Sequence, residues 1–533
     1  MAVARPSEPW PDPSWWGWGD PARVPPLPDE IRSLLTEALG VSAAPGHPPV
    51  PPELPAPRLD PGPLAAVVGE ANVRVDERAR ALHLRGKSTP DLLRLRAGDA
   101  DGAPDLVVLP GSHAEVLELL RVCSQRRIAV VPFGGGTSVV GGLEPLSDGF
   151  AGVAALDLRR MNALLELDEV SRLAVLEPGL RGPQAEALLA ERGYTLGHFP
   201  QSFEYATLGG FAATRSSGQA SAGYGRFDEL LLAVRLATPV GTLTAGRAPR
   251  SAAGPDLRQL VLGSEGAFGV ITSLTVQVRP LPEQRIYEGW RLPSFAAGLT
   301  ALRRLAQDGP LPTVVRLSDE AETALNLATP SALGAGGSGC LAIVGFEGSR
   351  SEVWLRREGA RAVLEATGGE LEEEAGAAWE RERYRAPYLR DALLDAGALV
   401  ETLETAAFWS ALPSLHQAVS AALRDSLSAQ GTPPVVLCHV SHVYPAGASL
   451  YFTVGCAQGE DPVAQWRHAK AAASDAILAA GASITHHHGV GTDHRPWYER
   501  EVGELGVRAL QAVKAQLDPA GIMNPGVLLA PGR

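Results

Sequence analysis

The sequence has few cysteines, more acidic than basic residues and no long apolar run. Its cysteines, Cys123, Cys340, Cys438 and Cys456, contain no C-x-x-C pair, which excludes a zinc site of the usual spacing and predicts reduced thiols. The formal charge of -13, from 47 basic and 60 acidic residues, argues against nucleic acid as a partner, because phosphate-binding surfaces are usually basic. No segment approaches the ~18 apolar residues of a membrane span, and the N-terminus lacks the apolar core of a signal peptide. We therefore expect a cytoplasmic protein whose contact with a membrane, if it makes one, is peripheral.

The length of 533 residues is too great for one hydrophobic core and predicts two or three domains. The segment PDEIRSLLTEALG predicts a short amphipathic helix that ends at glycine. The proline-rich residues 41–63 that follow predict an extended connector. From about residue 100, short β-like runs alternate with helical periods, and beyond residue 282 longer helices alternate with strands. The predicted units are an N-terminal helical segment with connector (1–99), a first domain (100–282), a second α+β domain (283–482) and a C-terminal segment (483–533).

The most informative stretch is VVPFGGGTSVVGG, residues 130–142. It follows a strand-helix-strand pattern that runs from DLVVLP to RIAVVPF. Gly134, Gly135 and Gly136 can bring backbone N–H groups together around a phosphate oxygen, and Thr137 and Ser138 add hydroxyl donors. The spacing is neither that of a Walker loop nor that of a Rossmann fingerprint. An ordinary tight turn is the alternative for this stretch taken alone.

Two further glycine-rich stretches follow, at residues 197–229 and 256–278. The first holds many small and hydroxyl residues, which allow close approach of the backbone to a flat or phosphorylated ligand. A long surface loop is the alternative, although loops of this length inside a domain are usually functional or disordered. The second stretch, DLRQLVLGSEGAFGVITSLTVQV, has two glycine turns before a strand and could equally be a plain helix-to-strand connector.

Three consecutive histidines stand in SITHHHGVGTD, residues 483–493. On an extended strand, His486 and His488 would share one face and His487 would face the other way, so the run makes a poor three-ligand metal cage. On a helix, ligands to one ion are three or four residues apart. Active-site imidazoles, metal ligands and surface residues all stay open on these residues alone.

Taken in order, the three glycine-rich stretches resemble the FAD-binding domain of the vanillyl-alcohol oxidase and p-cresol methylhydroxylase superfamily. The resemblance implies an α+β fold with a two-subdomain FAD-binding domain, an α+β cap domain that binds substrate, and helical N- and C-terminal segments. It implies FAD as the cofactor, and noncovalent binding, because no histidine lies in or near the first loop, where some members attach FAD. The FAD-binding residues that it implies are Pro132, Gly134, Gly135, Gly136, Thr137, Ser138, His198, Pro200, Ser202, Thr207, Gly210, Thr214, Ser217, Gly218, Glu265, Gly269, Val270 and Ile271.

Within that superfamily the chain is most similar to the alkylglycerone-phosphate synthase family, also called alkyldihydroxyacetonephosphate synthases. The segments that carry this likeness are WWGWGD, APRSAAGPDLRQLVLGSEG, YPAGASLYFT, SITHHHGVG and LDPAGIMNPG. The resemblance implies exchange of the acyl group of acyl-dihydroxyacetone phosphate for a fatty alcohol through a flavin N5 adduct, which gives an ether lipid precursor. It also implies a homodimer.

The same resemblance assigns roles to residues outside the glycine-rich stretches. Tyr451 and the histidines 486–488 would be catalytic, Arg390 and Arg250 would bind the substrate phosphate, and no metal is expected. The family usually has basic residues just after the histidine run, whereas this chain has TDHRPW with Asp493. Two other functions stay open: an FAD-dependent dehydrogenase or oxidase of a D-2-hydroxy acid (lactate or glycolate type) or alcohol, and a non-catalytic metal- or ligand-binding protein.

Overall fold

The N-terminal part of the computed structural model holds short helices on the edge of a sheet. The structure describes residues 3–7, 11–41, 49–326, 334 and 336–530. The first elements are α1 (Asp29–Leu39), α2 (Gly62–Val68), β1 (Val73–Arg74), α3 (Glu77–Leu82) and α4 (Thr89–Arg96). Helix α1 confirms the helix predicted from its amphipathic period and ends at Gly40. Of the predicted proline-rich connector, residues 42–48 lie outside the described part of the chain, and residues 49–61 contain neither helix nor strand.

Two larger sheets and one two-stranded sheet form the part of the chain that carries the glycine-rich stretches. Its elements are β2 (Leu106–Val108), α5 (His113–Arg126), β3 (Ile128–Phe133), β4 (Gly152–Asp157), β5 (Leu164–Asp168), β6 (Leu173–Leu176), α6 (Gly182–Ala190), β7 (Tyr194–Thr195), α7 (Leu208–Ala213), α8 (Ser221–Tyr224), α9 (Phe227–Leu230), β8 (Leu231–Thr238), β9 (Gly241–Ala245), α10 (Arg258–Val261), β10 (Val270–Gln277) and β11 (Arg279–Pro280). The first sheet has the order β1-β2-β4-β3, in which β2, β4 and β3 are parallel. The second is antiparallel, with the order β5-β6-β10-β8-β9. The predicted strand-helix-strand unit is confirmed, with β4 inserted between its two strands.

A seven-stranded antiparallel sheet forms the cap. Its elements are β12 (Gln284–Leu292), α11 (Phe295–Asp308), β13 (Val314–Ser318), α12 (Glu320–Leu325), β14 (Cys340–Gly348), α13 (Arg350–Ala366), β15 (Glu370–Glu372), α14 (Glu373–Glu382), α15 (Ala386–Asp395), β16 (Ala398–Phe408), α16 (Leu412–Ala429), β17 (Val435–Val443), β18 (Gly447–Ala457) and α17 (Pro462–Ala479). The strand order is β15-β12-β14-β13-β17-β18-β16. Side chains alternate between the faces of a strand, so Leu450 and Phe452 of β18 enter the core beneath the helices while Tyr451 points to the other face. The predicted boundaries between domains stay a prediction.

The C-terminal segment returns to the first sheet. After α17 the chain continues to α18 (Arg495–Leu517), which is interrupted at Gly503. Beyond α18, Met523 forms a parallel bridge with Val130 of β3. The Asn524 side-chain amide donates to the carbonyl oxygens of Gly142 and Glu265 at 3.0 and 2.7 Å. The end of the chain therefore joins the first and third glycine-rich stretches. None of the described helices is both long enough and apolar enough to span a membrane.

Candidate functional site

A cavity of about 2500 Å³, counting its open mouth, lies between the glycine-rich stretches and the polar face of the cap sheet. Most of the residues predicted from the sequence line it. They are Pro132, Gly134, Gly135, Gly136, Thr137, Ser138, Pro200, Ser202, Thr207, Gly210, Thr214, Ser217, Glu265, Gly269, Ile271, Arg390, Tyr451, His487 and His488. The fold therefore brings together residues that are up to several hundred positions apart in the sequence.

The other predicted residues lie outside the lining of this cavity. His198 is buried, and the centroid of its ring lies 4.7 Å from that of Phe211. Gly218 and Val270 are also buried. His486 lines an adjacent cavity. Arg250 is exposed in the segment between β9 and α10, so the structure does not bring it to the cavity.

The backbone of the first glycine-rich stretch fits a diphosphate group. Within the described residues, the N–H groups of Gly135, Gly136 and Thr137 have no hydrogen-bond acceptor, and they line the cavity. Gly136 has φ +68, which disfavours a side chain there. A Cβ on Gly135 would lie 2.6 Å from the carbonyl carbon of Tyr205 and 2.8 Å from Cα of Ala206. Gly135 thus permits close contact with the second stretch, while the free N–H groups form the nest expected for an anion.

Two buried carboxylates hold the histidine segment. Glu404 of β16 accepts hydrogen bonds from the backbone N–H groups of residues 486–488 at 2.6, 3.1 and 3.0 Å. Glu265, in the third glycine-rich stretch, accepts from the N–H groups of Val490 and Gly491 at 2.7 and 2.9 Å. One carboxylate belongs to the cap and the other to the part of the chain that carries the glycine-rich stretches, so the segment is fixed from both sides.

The segment is curled and does not form a strand. The alternation expected from a strand, with His486 and His488 on one face, is therefore wrong. His487 and His488 both line the main cavity, and His486 lines the adjacent one. The physical reason is that one carboxylate can gather three consecutive N–H groups only if the backbone curls around it.

Three imidazoles lie close enough together to be considered as metal ligands. Ring nitrogens of His442, His486 and His487 lie within 4.8 Å of one another. Both nitrogens of His486 already have partners: Nε2 is 2.6 Å from the Tyr444 hydroxyl oxygen, and Nδ1 is 2.9 Å from His487 Nδ1. Nδ1 of His442 is 2.7 Å from the Ser221 hydroxyl oxygen. These hydrogen bonds account for the cluster without an ion, and the expectation of no metal stays a prediction.

The electrostatic environment separates the proton affinities of Tyr451 and the histidines. Burial raises the pKa of Tyr451 to about 12, so the phenol keeps its proton at neutral pH. Burial lowers the pKa of His488 to about 3, although the Glu404 carboxylate opposes the shift. Burial also lowers the pKa of His487. The rings of Tyr451 and His488 meet edge to face, with centroids 5.5 Å apart. A protonated phenol, which can donate a proton, therefore lies beside neutral imidazoles, which can accept one.

Arginine side chains provide positive charge at the cavity. Nη1 of Arg390 donates to the backbone oxygen of Lys87 at 2.7 Å. Its buried Nε and Nη2 have no hydrogen-bond acceptor among the described residues, and Nη2 lies 3.7 Å from Asp391. Arg316 of β13 also lines the cavity, and its Nη2 donates to Glu322 at 2.5 Å. Arg316 was not predicted from the sequence, although a charged residue within the apolar run TVVRLS is an available signal.

The tryptophan-glycine segment of the N-terminus closes one side of the site. Trp18 lines the cavity, and its backbone N–H donates to Asp391 of α15 at 2.6 Å. A Cβ on Gly19 would lie 2.5 and 2.6 Å from the hydroxyl oxygens of Tyr205 and Tyr388. The segment is therefore wedged between the second glycine-rich stretch and the cap.

Comparison with known proteins agrees with this geometry. A family model described as FAD binding domain matches residues 104–246, and one described as FAD linked oxidases, C-terminal domain, matches residues 281–528. The alkyldihydroxyacetonephosphate synthase of Dictyostelium discoideum is 36% identical over 476 residues, which are 85% of this chain and 78% of that protein. A solved alkyldihydroxyacetonephosphate synthase is 30% identical with a TM-score of 0.82, over 96% of this chain and 98% of that one.

A more distant structure, p-cresol methylhydroxylase with substrate bound, is 16% identical with a TM-score of 0.65, over 88% of this chain and 96% of that one. This likeness shows the fold. The fold class and the FAD cofactor implied by the resemblance are confirmed. The chain belongs to the alkyldihydroxyacetonephosphate synthase family of FAD-dependent enzymes.

Proposed function

We propose that this enzyme exchanges the acyl group of acyl-dihydroxyacetone phosphate for a fatty alcohol and so forms an ether bond. The observation that carries the proposal is the arrangement of three groups in one cavity: the Arg390 guanidinium with unpartnered N–H groups, the protonated phenol of Tyr451 and the neutral imidazole of His488. The family to which the chain belongs supports the same reaction.

Arg390 is the proposed ligand of the substrate phosphate. Its Nε and Nη2 are buried and lack acceptors among the described residues, and an unpaired buried donor is costly until a ligand satisfies it. Each charge-assisted hydrogen bond to phosphate contributes ~1.5–3 kcal/mol. At physiological salt, charges interact over ~8 Å, so the groups near the cavity, among them Arg390, act on the phosphate more strongly than the formal charge of -13 spread over the chain.

Tyr451 and the histidines are the proposed proton carriers. The exchange is redox-neutral: a proton leaves the substrate carbon, the acyl group departs as a carboxylic acid with its oxygen, the alcohol oxygen bonds to that carbon, and a proton returns. Bound FAD supplies an electrophilic ring that can hold the substrate carbon during this exchange. The neutral imidazole of His488 accepts the first proton and later returns it to the carbon, while Tyr451 donates to the departing carboxylate oxygen and regains a proton from the alcohol as its oxygen bonds.

We extend the proposal to the setting of the enzyme: a homodimer in the cytoplasm that meets its lipid substrates at a membrane surface. Two observations support the compartment and the membrane contact. All four cysteines are buried free thiols, which suits a reducing compartment. Trp354 and Leu355 of α13 are exposed by 63% and 66%, and tryptophan is common where proteins contact the interfacial region of a bilayer.

The test is incubation of the purified flavoprotein with acyl-dihydroxyacetone phosphate and ¹⁸O-labelled hexadecanol, followed by mass spectrometry. We expect an ether product that retains the label, released fatty acid, and flavin that stays oxidised. The matched measurement adds D-lactate or glycolate without oxygen. Flavin bleaching by the hydroxy acid, with no ether in the first assay, would instead assign the enzyme to hydroxy-acid oxidation.

A further inference from the structure

Glu404 lies directly behind the proposed proton carriers. It is 1% exposed and pairs with Tyr451 across β16 and β18, so both side chains point to the same face of the cap sheet. In addition to the three backbone N–H groups of residues 486–488, its carboxylate accepts a hydrogen bond from the Thr485 hydroxyl at 2.5 Å. Its oxygens lie 3.6 Å from Nδ1 of His487 and 4.0 Å from Nδ1 of His488.

These contacts couple one side chain to both the position and the charge of the imidazoles. The N–H groups fix the curl of the backbone, and the curl directs the rings of His487 and His488 into the cavity. The carboxylate charge favours protonation of both rings, against the effect of burial. Charges that act on the two rings come also from Arg226, Lys470 and His494. The titratable rings of His442, His486 and Tyr451 pack against them.

We propose that Glu404 is a positioning residue for the reaction, which orients His487 and His488 through their backbone and adjusts their readiness to take up a proton. The inference rests on the proposed function for its kinetic consequence only. The positions and titration of the imidazoles are properties of the resting flavoprotein and can be measured without turnover.

Two substitutions at this position test the effects of Glu404 on the position and on the protonation of the imidazoles, with little change in side-chain volume. Glu404→Gln keeps the shape but removes the charge, and its NH₂ group meets backbone N–H donors where an oxygen is needed. Glu404→Asp keeps the charge but is shorter by one methylene. The matched control is Glu347→Gln: Glu347 is a buried carboxylate of the same sheet (3% exposed), and its partners include the hydroxyl groups of Tyr224 and Tyr287.

The experiment combines ¹⁵N-histidine NMR titration of the flavoproteins with the pH profile of kcat and KM. For Glu404→Gln we expect the His487 titration shifted to lower pH, because the carboxylate that opposes burial is gone, and kcat lower by about 10- to 100-fold, as for a displacement of ~1 Å. The KM should change little, because Arg390 is untouched. Glu404→Asp should titrate like the wild type but lose kcat, and Glu347→Gln should match the wild type in both.

The proposal is overturned if Glu404→Gln titrates and turns over like Glu347→Gln. If Glu404→Gln does not fold, Glu404→Asp decides, and wild-type kcat in that variant overturns the proposal. Failure of the wild type to form ether would contradict the proposed function and leave the histidine titrations as a separate test of Glu404.

Discussion

The contact between the first and second glycine-rich stretches predicts that Gly135→Ala expels the flavin. The added Cβ would lie 2.6 Å from the Tyr205 carbonyl carbon, and closer still to its oxygen. Tyr205 cannot yield easily, because its hydroxyl group accepts a hydrogen bond from Asp20 N–H at 3.2 Å and lies 3.3 Å from the Tyr388 hydroxyl oxygen. The first stretch must therefore move, and its free N–H groups move with it.

The size of the effect follows from the distances. Carbon atoms in contact are ~3.5–4.0 Å apart, so the two backbones must separate by about 1 Å. Overpacking of this kind costs ~1–3 kcal/mol. For a folding unit of ~150–250 residues, each kcal/mol lowers Tm by ~2–4 °C, so we expect a decrease of about 2–12 °C and a larger relative loss of bound FAD.

The assay is the ratio of flavin to protein absorbance after gel filtration, together with the Tm. Gly455→Ala in β18 is the matched control, because an added Cβ there meets nothing within 4 Å and its φ is not left-handed. It should be neutral or slightly stabilising, by ~0.4–1 kcal/mol. Full flavin content and an unchanged Tm in Gly135→Ala would refute the argument that Gly135 is required for close approach.

Three further predictions concern two residues of the cavity and the buried partner of a third, Arg316. Replacing Arg390 with Met should raise the KM for the phosphorylated substrate by about 10- to 150-fold, from ~1.5–3 kcal/mol of lost hydrogen bonding, with unchanged flavin content; an unchanged KM would remove Arg390 from phosphate binding. Tyr451→Phe should lower kcat by about 10²- to 10⁴-fold while the flavin spectrum and Tm stay the same, and full activity would exclude the phenol as proton donor. The pKa of buried Glu322 is lowered from 4.5 to about 2, against the effect of burial, by His439, Arg316 and two hydrogen bonds. The ionised carboxylate therefore contributes about 3 kcal/mol to the free energy of unfolding above the unfolded pKa. This contribution is lost as the pH falls from about 4.5 to about 2. Urea unfolding of Glu322→Gln across that range should show a shallower pH dependence than the wild type, and identical slopes would contradict the assignment.

Local sequence signals were sufficient for the elements of the fold that rest on local periodicity. Helix α1 was predicted from its apolar spacing and glycine end, and the strands around α5 from short β-branched runs. The order of the strands could not be predicted, because the insertion of β4 between β2 and β3 is decided by packing between distant segments. The same limit applies to Gly135: the sequence suggested room for a ligand, whereas the structure shows contact with Tyr205.

The site was predicted only where a motif marked it. The histidines were found, but their directions were not, because the curl depends on Glu404, which lies more than 80 residues earlier in a strand. Nothing in ETLETAAF distinguishes Glu404 from Glu401 except the fold. Arg250 shows a limit of motif reasoning: a likeness in sequence suggested a ligand of the substrate, whereas the residue is exposed and is not part of the cavity lining, so its role stays a prediction.

The distribution of charge explains how an acidic chain can accept a phosphorylated substrate. Glu404 turns its oxygens towards backbone N–H groups behind the histidine segment, and Glu265, which lines the cavity, is held by two further N–H groups of that segment. The guanidinium groups of Arg390 and Arg316 line the cavity itself. Between them stand Tyr451 and His488, which are neutral at physiological pH because burial raises the pKa of the phenol to about 12 and lowers that of the imidazole to about 3. Because both groups are uncharged, neither repels the phosphate of the substrate, and each can hold the role proposed for it, the phenol as proton donor and the imidazole as proton acceptor.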